Sequence, residues 1–395
     1  MQQDVISDFL KIFGHSNGNN FEVLQFFSPG RVNIIGEHID YNGGLVLPCA
    51  INLGTHAAAR KRGDNIVKLA SANFPGNSVE FSLKQLDFDA IHGWGNYPKG
   101  VIAQLAGAGY TFGGFEMYVN GNLPSGAGLS SSASITSLVA LVVSHLFNLG
   151  IKPSARAKYC QMAEALSGVN CGIMDPFIIT LGKAGNAMLL DCGNLEHEHI
   201  PLELGEYKII IANTNMKRGL AASAYNTRRQ ECQEALSDIQ AVTGVQHLCA
   251  LSPEEFEAVA HLVSSNINRQ RARHAVCENY RVKMAASLLR SGNVVAIGDL
   301  LKASHDSLRD LYEVSGLYLD AMVEAAYAYG TVAGTGAVAG ARMTGAGFGG
   351  CTVNIVHGGH VDAFVDYVGA AYKSKTGNEA TFYNVAVWEG AREII

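Results

Sequence analysis

What this chain lacks removes several classes of function before any motif is read. No apolar run reaches the about 18 residues that a membrane-crossing helix needs, so no span is expected. Lys and Arg number 29 against 35 Asp and Glu, giving a net charge of −6 with no basic block. A nucleic-acid partner asks for a concentrated positive face and is not expected. The eight cysteines, at 49, 160, 171, 192, 232, 249, 277 and 351, include no C-x-x-C pair. That spacing argues against a zinc site or a disulfide frame and for reduced, cytoplasmic thiols. The opening MQQDVISDFLKIFG has no basic start ahead of an apolar core, so no secretory leader is expected. The Gly182-Lys183 pair is followed by Ala184, which rules out a P-loop. Gly345 to Gly350 fits G-x-G-x-x-G to the letter but precedes an apolar run that reads as a strand. A dinucleotide fingerprint needs a helix there. His197-Glu198-His199 has no third ligand nearby and reads as surface.

What the chain does have is glycine, 44 of 395 residues, concentrated in three clusters. The most telling is LPSGAGLSSSAS, Leu123 to Ser134, directly before a run that is apolar nearly all round from Ile135 to Leu149. Gly126 and Gly128 let the backbone approach a ligand, and three consecutive serines stand where a helix must begin. The N–H groups of a helix N-terminus are unpaired and carry the positive end of the dipole, so a phosphate is the natural guest. The apolar run predicts a buried helix.

A chain of this length suggests two domains. Residues 4–13 read as an amphipathic helix with Val5, Ile6, Phe9, Leu10 and Phe13 on one side. Val23 to Phe27 reads as a strand, SPGR as a turn, Val32 to Ile35 as a second apolar run and Leu45 to Ile51 as another strand. Between them lies the polar loop Gly36 to Gly44. It carries Glu37, His38 and Asp40, which suit either a solvated surface or a polyhydroxylated ligand whose hydroxyls need acceptors. Strands and turns follow to residue 91. Trp94 and Tyr97, ahead of a helix reaching about Gly109, are core aromatics or a platform for a base. Pro153 opens a helix whose apolar stripe is Tyr159, Met162, Ala163 and Leu166. Glu164 falls on its small-residue side, as a solvated carboxylate or a magnesium ligand. Asp175 stands where a helix begins, as a plain N-cap or a working carboxylate. From Tyr207 the texture changes to a buried-type strand, a long helical stretch to about Tyr329, and a strand–helix–strand ending. The boundary falls near 200–206, dividing the chain into 1–204 and 205–395. The fold class is α+β.

SPGRVNIIGEHIDYNGG, LPSGAGLSSSAS and RMTGAGFGGC, in this order and spacing, resemble the three signature segments of the GHMP small-molecule kinases. The first is similar to that family's galactokinase signature, and the likeness runs over nearly the whole chain. The resemblance implies a ribosomal-protein-like N-terminal domain and a ferredoxin-like C-terminal domain, with the active site in the cleft between them. It implies transfer of the γ-phosphoryl of ATP to the anomeric hydroxyl of galactose. N-acetylgalactosamine kinase is the alternative, and a non-catalytic galactose sensor a weaker one. By position, Gly126, Ala127, Gly128, Leu129, Ser130, Ser131 and Ser132 would wrap the phosphates, with Ser132 and Glu164 on Mg2+. Trp94 and Tyr97 would flank the adenine, and Thr344 and Gly345 would close over the site. Asp175 and Arg31 would be catalytic. Glu37, His38, Ile39, Asp40, Gly172 and Tyr225 would hold the sugar. The implied partners are small molecules, and the implied state is a monomer or weak oligomer. Pro176 stands where the family usually has Gln, and the segment before CGIMD is one residue short.

Overall fold

The computed structural model describes residues 4–15, 21–124, 127–165, 172–216 and 221–394. The chain begins with α1 (Val5–Phe13), β1 (Leu24–Asn33), β2 (Leu45–Val46), β3 (Pro48–Lys61), β4 (Ile66–Ser71) and β5 (Val79–Ser82). It continues through α2 (Asn96–Gly107), β6 (Phe115–Gly121), α3 (Ser131–Leu146), α4 (Pro153–Ala165) and α5 (Met174–Leu181). Next come β7 (Asn186–Asp191), β8 (His197–Pro201), β9 (Tyr207–Asn213), α6 (Ala221–Thr243), α7 (Pro253–Val259), α8 (Asn266–Arg290), α9 (Gly298–Asp310) and α10 (Gly316–Ala333). The last elements are β10 (Val338–Thr344), β11 (Cys351–His357), α11 (Val361–Thr376), β12 (Thr381–Val385) and β13 (Arg392–Ile394).

A six-stranded sheet in the order β13-β1-β3-β6-β4-β5 forms the first domain, and the last strand of the chain returns to pair with β1. Helix α3 lies against one face with α2 and α4, its Leu138, Val139 and Val142 packed on Phe26, Phe115 and Met117. Burial of α3 on most of its circumference is what its nearly uniform apolar sequence requires. On the opposite face α1 sets Val5 and Phe9 against Ala58, Ala70 and Tyr118. A four-stranded antiparallel sheet, β10-β11-β9-β12, forms the second domain and has the expected ferredoxin-like character. Successive strand residues point to opposite faces, so Ile210 and Ala212 of β9 meet α10 and α11 while Ile209 and Ile211 meet the core shared with α8 and α9. Cover on both faces explains why β9 is apolar without alternation. A small third sheet, β2-β7-β8, lies beside the first. No helix among the described residues is long and apolar enough to cross a membrane.

Three local expectations are corrected. SPGR is not a turn: β1 runs through it as one strand, with a register shift against β3 between Pro29 and Gly30. Proline within a sheet is tolerated at such a bulge. A Cβ on Gly30 would lie 2.8 Å from the Leu129 carbonyl, so glycine lets the serine loop press on the strand. The buried face of α4 is Ala157, Cys160, Ala163 and Glu164, while Met162 of the expected stripe is exposed. Small side chains win here because α2 and α3 pack close; a Cβ on Gly100 of α2 would sit 3.5 Å from Ala163. Leu166 lies outside the described residues, as does the shortened segment before Gly172. Finally, Asp175 is inside the first turn of α5, whose N-cap position is Ile173, so it is no cap. Pro176 follows in that same turn, where no intrahelical N–H bond is lost.

Arg60 of β3, fully buried, donates to Glu116 Oε2 at 3.1 and 2.6 Å and reaches the carbonyls of Phe13 and Gly14 at the end of α1. Removing one partner of a buried pair strands the other charge. Glu116→Ala is expected to cost about 3–5 kcal/mol in urea unfolding. A loss below about 1 kcal/mol would mean that Arg60 finds water instead.

Candidate active site

The site begins where three distant segments meet at Arg31. The bulge in β1 leaves its backbone N–H on Leu129 O at 3.3 Å, and the side chain donates through Nη1 to Gly128 O at 2.5 Å. Nε and Nη2 donate to the two oxygens of Asp175, both at 2.7 Å. This is a bidentate, charge-assisted pair. Ser130, at φ 63°, gives its hydroxyl to Asp175 Oδ2 and does not cap α3. No side chain caps the first turn of α3, whose N–H groups could therefore receive an anion. Ser132, in the first turn of α3, donates to Glu164 Oε2, and Thr136, one turn further in, to Oε1, each at 3.1 Å. Burial first, and the charge of Asp175 second, push the Glu164 carboxyl up to about 7. A carboxylate so placed, with an aligned serine hydroxyl, fits a hard divalent cation, which would offset both effects.

The sugar-loop residues are not solvated: Glu37 and His38 are buried. Glu37 Oε1 accepts from Thr344 Oγ1 at 3.0 Å and Gly345 N–H at 2.7 Å, and the buried Arg342 lies 3.4 Å from it. Arg342 also donates to the carbonyls of Asn33 and Ile34 at 3.0 Å. Thr344 and Gly345, expected over the nucleotide, therefore turn their donors toward Glu37. His38 sits at φ 62°, a conformation that costs a non-glycine residue about 1–3 kcal/mol and needs its surroundings to hold it. Its Nε2 faces the Ala346 carbonyl at 3.1 Å, which can only accept, so Nε2 carries the proton. Its Nδ1 accepts from Tyr41 Oη at 2.7 Å, and the chain continues to Tyr312 at 2.9 Å and Cys232 at 3.1 Å. Burial holds the imidazole neutral, down at about 3. Both ring nitrogens are thus used inside the protein, and Tyr225 packs on the ring at 5.5 Å.

Asp40 is partly buried beside Gly172. A Cβ at that position would fall 1.5 Å from Asp40 Oδ2, so only glycine admits the carboxylate. Burial first, then Asp175, push the Asp40 carboxyl up to about 7. Ile39 is fully buried behind the loop and packs on Gly44. Ala127, Leu129 and Ser131 take their places in the loop and at the head of α3, while Gly126 lies outside the described residues. Trp94 lies apart from the charged cluster, stacked on Phe74 with ring centroids 6.1 Å apart and planes 9° apart, with Tyr97 at the start of α2. Sequence reasoning missed Phe74, Thr136, Tyr41, Tyr312 and Arg342. Of these, only Arg342 announced itself, as a lone charge in an otherwise apolar strand. His197 and Glu198 are exposed, with Glu198 paired to Arg290.

Residues 96–183 match the GHMP kinases N terminal domain and residues 285–374 the GHMP kinases C terminal domain. The crystal structure of a mevalonate kinase from Methanococcus jannaschii shares the fold, with a TM-score of 0.65 at 20% identity over 95% of this chain and all of that one. The uncapped, serine-rich entrance of α3 beside the Asp175–Arg31 pair lies within a fold of that small-molecule kinase class. Residues 7–61 match the galactokinase galactose-binding signature. A galactokinase of Fusobacterium nucleatum is 47% identical over the full length of both chains. The structure of Lactococcus lactis galactokinase complexed with galactose matches with a TM-score of 0.93 and 44% identity over 98% of each chain. The chain belongs to the galactokinases, ATP-dependent sugar kinases of the GHMP family.

Asp40 generates a prediction with two signs. Its carboxyl is raised in the folded state, so the native protein holds a proton there that the unfolded chain loses above about 4. Stability contributed by that proton is lost as pH rises toward about 7. Asp40→Asn should therefore stabilise the unliganded protein at pH 8 relative to wild type. Galactose hydroxyls need the ionised acceptor, so calorimetric affinity for galactose without nucleotide should fall as pH drops below about 7, by at most about tenfold per unit. A flat affinity profile, or an Asn variant that keeps the slope, would remove Asp40 from the sugar site.

Proposed function

We propose that the chain transfers the γ-phosphoryl group of ATP to the anomeric hydroxyl of galactose at the Asp175–Arg31 pair, in the cleft between domains 1–204 and 205–395. The observation that carries this reading is the arrangement around Asp175. Arg31 and Ser130 hold its carboxylate at the entrance of α3, and its charge is felt by both Asp40 on the sugar side and Glu164 on the phosphate side. Phosphoryl transfer through a loose transition state asks mainly for alignment and charge neutralisation. The N–H groups at the head of α3, with Ser131 and Ser132, receive the phosphate chain. Ser132 and Glu164 are the residues that would hold Mg2+, which when bound neutralises charge on the phosphate oxygens. Trp94 and Tyr97, with Phe74 behind Trp94, offer the adenine an aromatic surface.

Glu37 and Asp40 accept from sugar hydroxyls and fix the ring, with Gly172 leaving room for the Asp40 carboxylate. Tyr225 of α6 packs on His38 and Tyr41 of the same loop. His38 serves the site by joining the sugar loop to the glycine-rich loop through Ala346. Asp175, oriented by Arg31, is the proton acceptor for the anomeric hydroxyl. It takes the anomeric proton late, once the oxygen is bonding to phosphorus. Arg31 offers its remaining charge to the transferring group. The reading of a non-catalytic sensor has no support in this geometry, since the serine loop, Asp175 and Arg31 are assembled. The seven described cysteines are free thiols, which suits a reducing compartment, and we place the enzyme in the cytoplasm.

ADP release with ATP and Mg2+, measured against a panel of hexoses, tests the substrate: galactose should exceed N-acetylgalactosamine in kcat/KM. Asp175→Asn should lower kcat by about 10²–10⁴-fold with ATP affinity nearly unchanged. Retention of more than about a tenth of wild-type turnover would discard the proton-accepting role.

A further inference from the structure

The sugar loop is held at its backbone by side chains of one helix in the second domain. Glu278 Oε1 accepts the Gly36 N–H at 3.0 Å, and His274 Nε2 lies 3.1 Å from the Glu37 carbonyl. Asn279 Oδ1 accepts the Leu45 N–H at 2.8 Å, at the far end of the loop. His274 and Glu278 are one turn apart on α8, and both are fully buried. Long apolar helices bury leucine on such a face; here the face carries an imidazole and a carboxylate.

Each is in turn fixed by α9. Ser304 donates to Glu278 Oε1 at 2.6 Å, while Arg281 donates to Oε2 at 2.7 Å. Burial would push the Glu278 carboxyl up, but the Arg281 guanidinium, with Arg342 and the Ser304 hydroxyl, outweighs it and brings it down to about 2. The carboxylate is therefore a permanent acceptor. Ser307 Oγ lies 2.8 Å from His274 Nδ1. A carbonyl can only accept, so the His274 proton is on Nε2 and Ser307 donates to Nδ1. The Glu37 carbonyl thereby selects the tautomer, and the Ser307 hydroxyl holds the ring in place from its other nitrogen. His305, also on α9, accepts the Met343 N–H at 3.3 Å, one residue before the threonine that holds the Glu37 side chain. Backbone and side chain of Glu37 are thus both located from the α9 side.

We infer that His274 and Glu278 are positioning residues for the sugar: they set the backbone of Gly36 and Glu37 so that the Glu37 and Asp40 carboxylates meet the hydroxyls of galactose. The inference rests on the assignment of Glu37 and Asp40 to the sugar. It predicts an effect on one substrate only. A residue that merely stabilised the fold would lower the active fraction, and hence kcat, with both KM values unmoved.

Steady-state kinetics on the full-length enzyme tests this with four variants. Ser307→Ala, which leaves every charge in place, should raise KM for galactose about three- to tenfold, with KM for ATP within about twofold of wild type. His274→Leu should raise it on the order of tenfold or more. His274→Gln, whose amide can still donate to the Glu37 carbonyl, should recover most of that loss. Asp40→Asn is the reference for the sugar assignment. If Asp40→Asn raises KM for galactose but Ser307→Ala and His274→Leu do not, the positioning role is overturned while the sugar site stands. If Asp40→Asn also leaves KM for galactose unchanged, both fall. Equal shifts in the KM of galactose and ATP, or a Gln variant no better than Leu, likewise overturn the positioning role. Should His274→Leu fail to fold, Ser307→Ala decides alone.

Discussion

Arg31 is the joint on which this active site turns. Its guanidinium binds both oxygens of Asp175 and the carbonyl of Gly128, while its own backbone N–H binds Leu129. A strand of the first sheet, the phosphate loop and helix α5 are thereby referred to one planar group with donors in fixed directions, something a lysine could not do. The need is electrostatic as well as geometric. Glu37, Asp40, Glu164 and Asp175 converge on the site, and like charges at close range destabilise one another in a low dielectric. Arg31 answers Asp175 and Arg342 answers Glu37, each nearly or fully buried. At Asp40 and Glu164 burial and the charge of Asp175 outweigh the pull of Arg31, and these two carboxyls are pushed up to about 7.

The second domain enters the site as a clamp on the first. Arg342 and Thr344, at the end of β10, reach the backbone of Asn33 and the carboxylate of Glu37. Ala346 takes the His38 proton, and α8 takes the loop backbone. The sugar loop has neither strand nor helix partners over Gly36 to Ile39 and carries a non-glycine residue at positive φ. Such a segment holds one conformation only when its polar groups are satisfied from outside. The contacts from β10, α8 and the glycine-rich loop do that, from residues some 240 to 310 positions later in the chain.

Much of this was legible in the sequence, and the unread part has physical reasons. The serine-rich entrance of α3 and the apolar helix behind it follow from local rules on helix ends and burial, and the structure has both. KIIIAN reads directly as a strand covered on two faces. SPGR misled because proline and glycine signal a turn, whereas a bulge in a paired strand uses the same two residues for a different end. On α4 hydrophobicity predicted Met162 inward, but close helix packing favours small side chains, and the buried face became Ala157, Cys160 and Ala163. Asp175 could not be told from an N-cap because its partner lies 144 positions away. The same distance problem hides Glu278 and His274, which in isolation are ordinary helix residues.

Asp40 and Glu164 show why the unliganded site cannot be the most stable arrangement this fold could adopt. Glu164 is buried and Asp40 partly so, and both feel the charge of Asp175, so each holds its proton more tightly than a free side chain would. Ligands reverse the balance: hydroxyl donors favour ionised Asp40, and a cation held with Ser132 favours ionised Glu164. Both carboxyls are coupled to the same third group, Asp175, so what relieves one alters the field at the other. Asp40 and Glu164 are therefore linked through the charge of Asp175. Arg31, locked on both oxygens of Asp175, fixes where that shared charge sits.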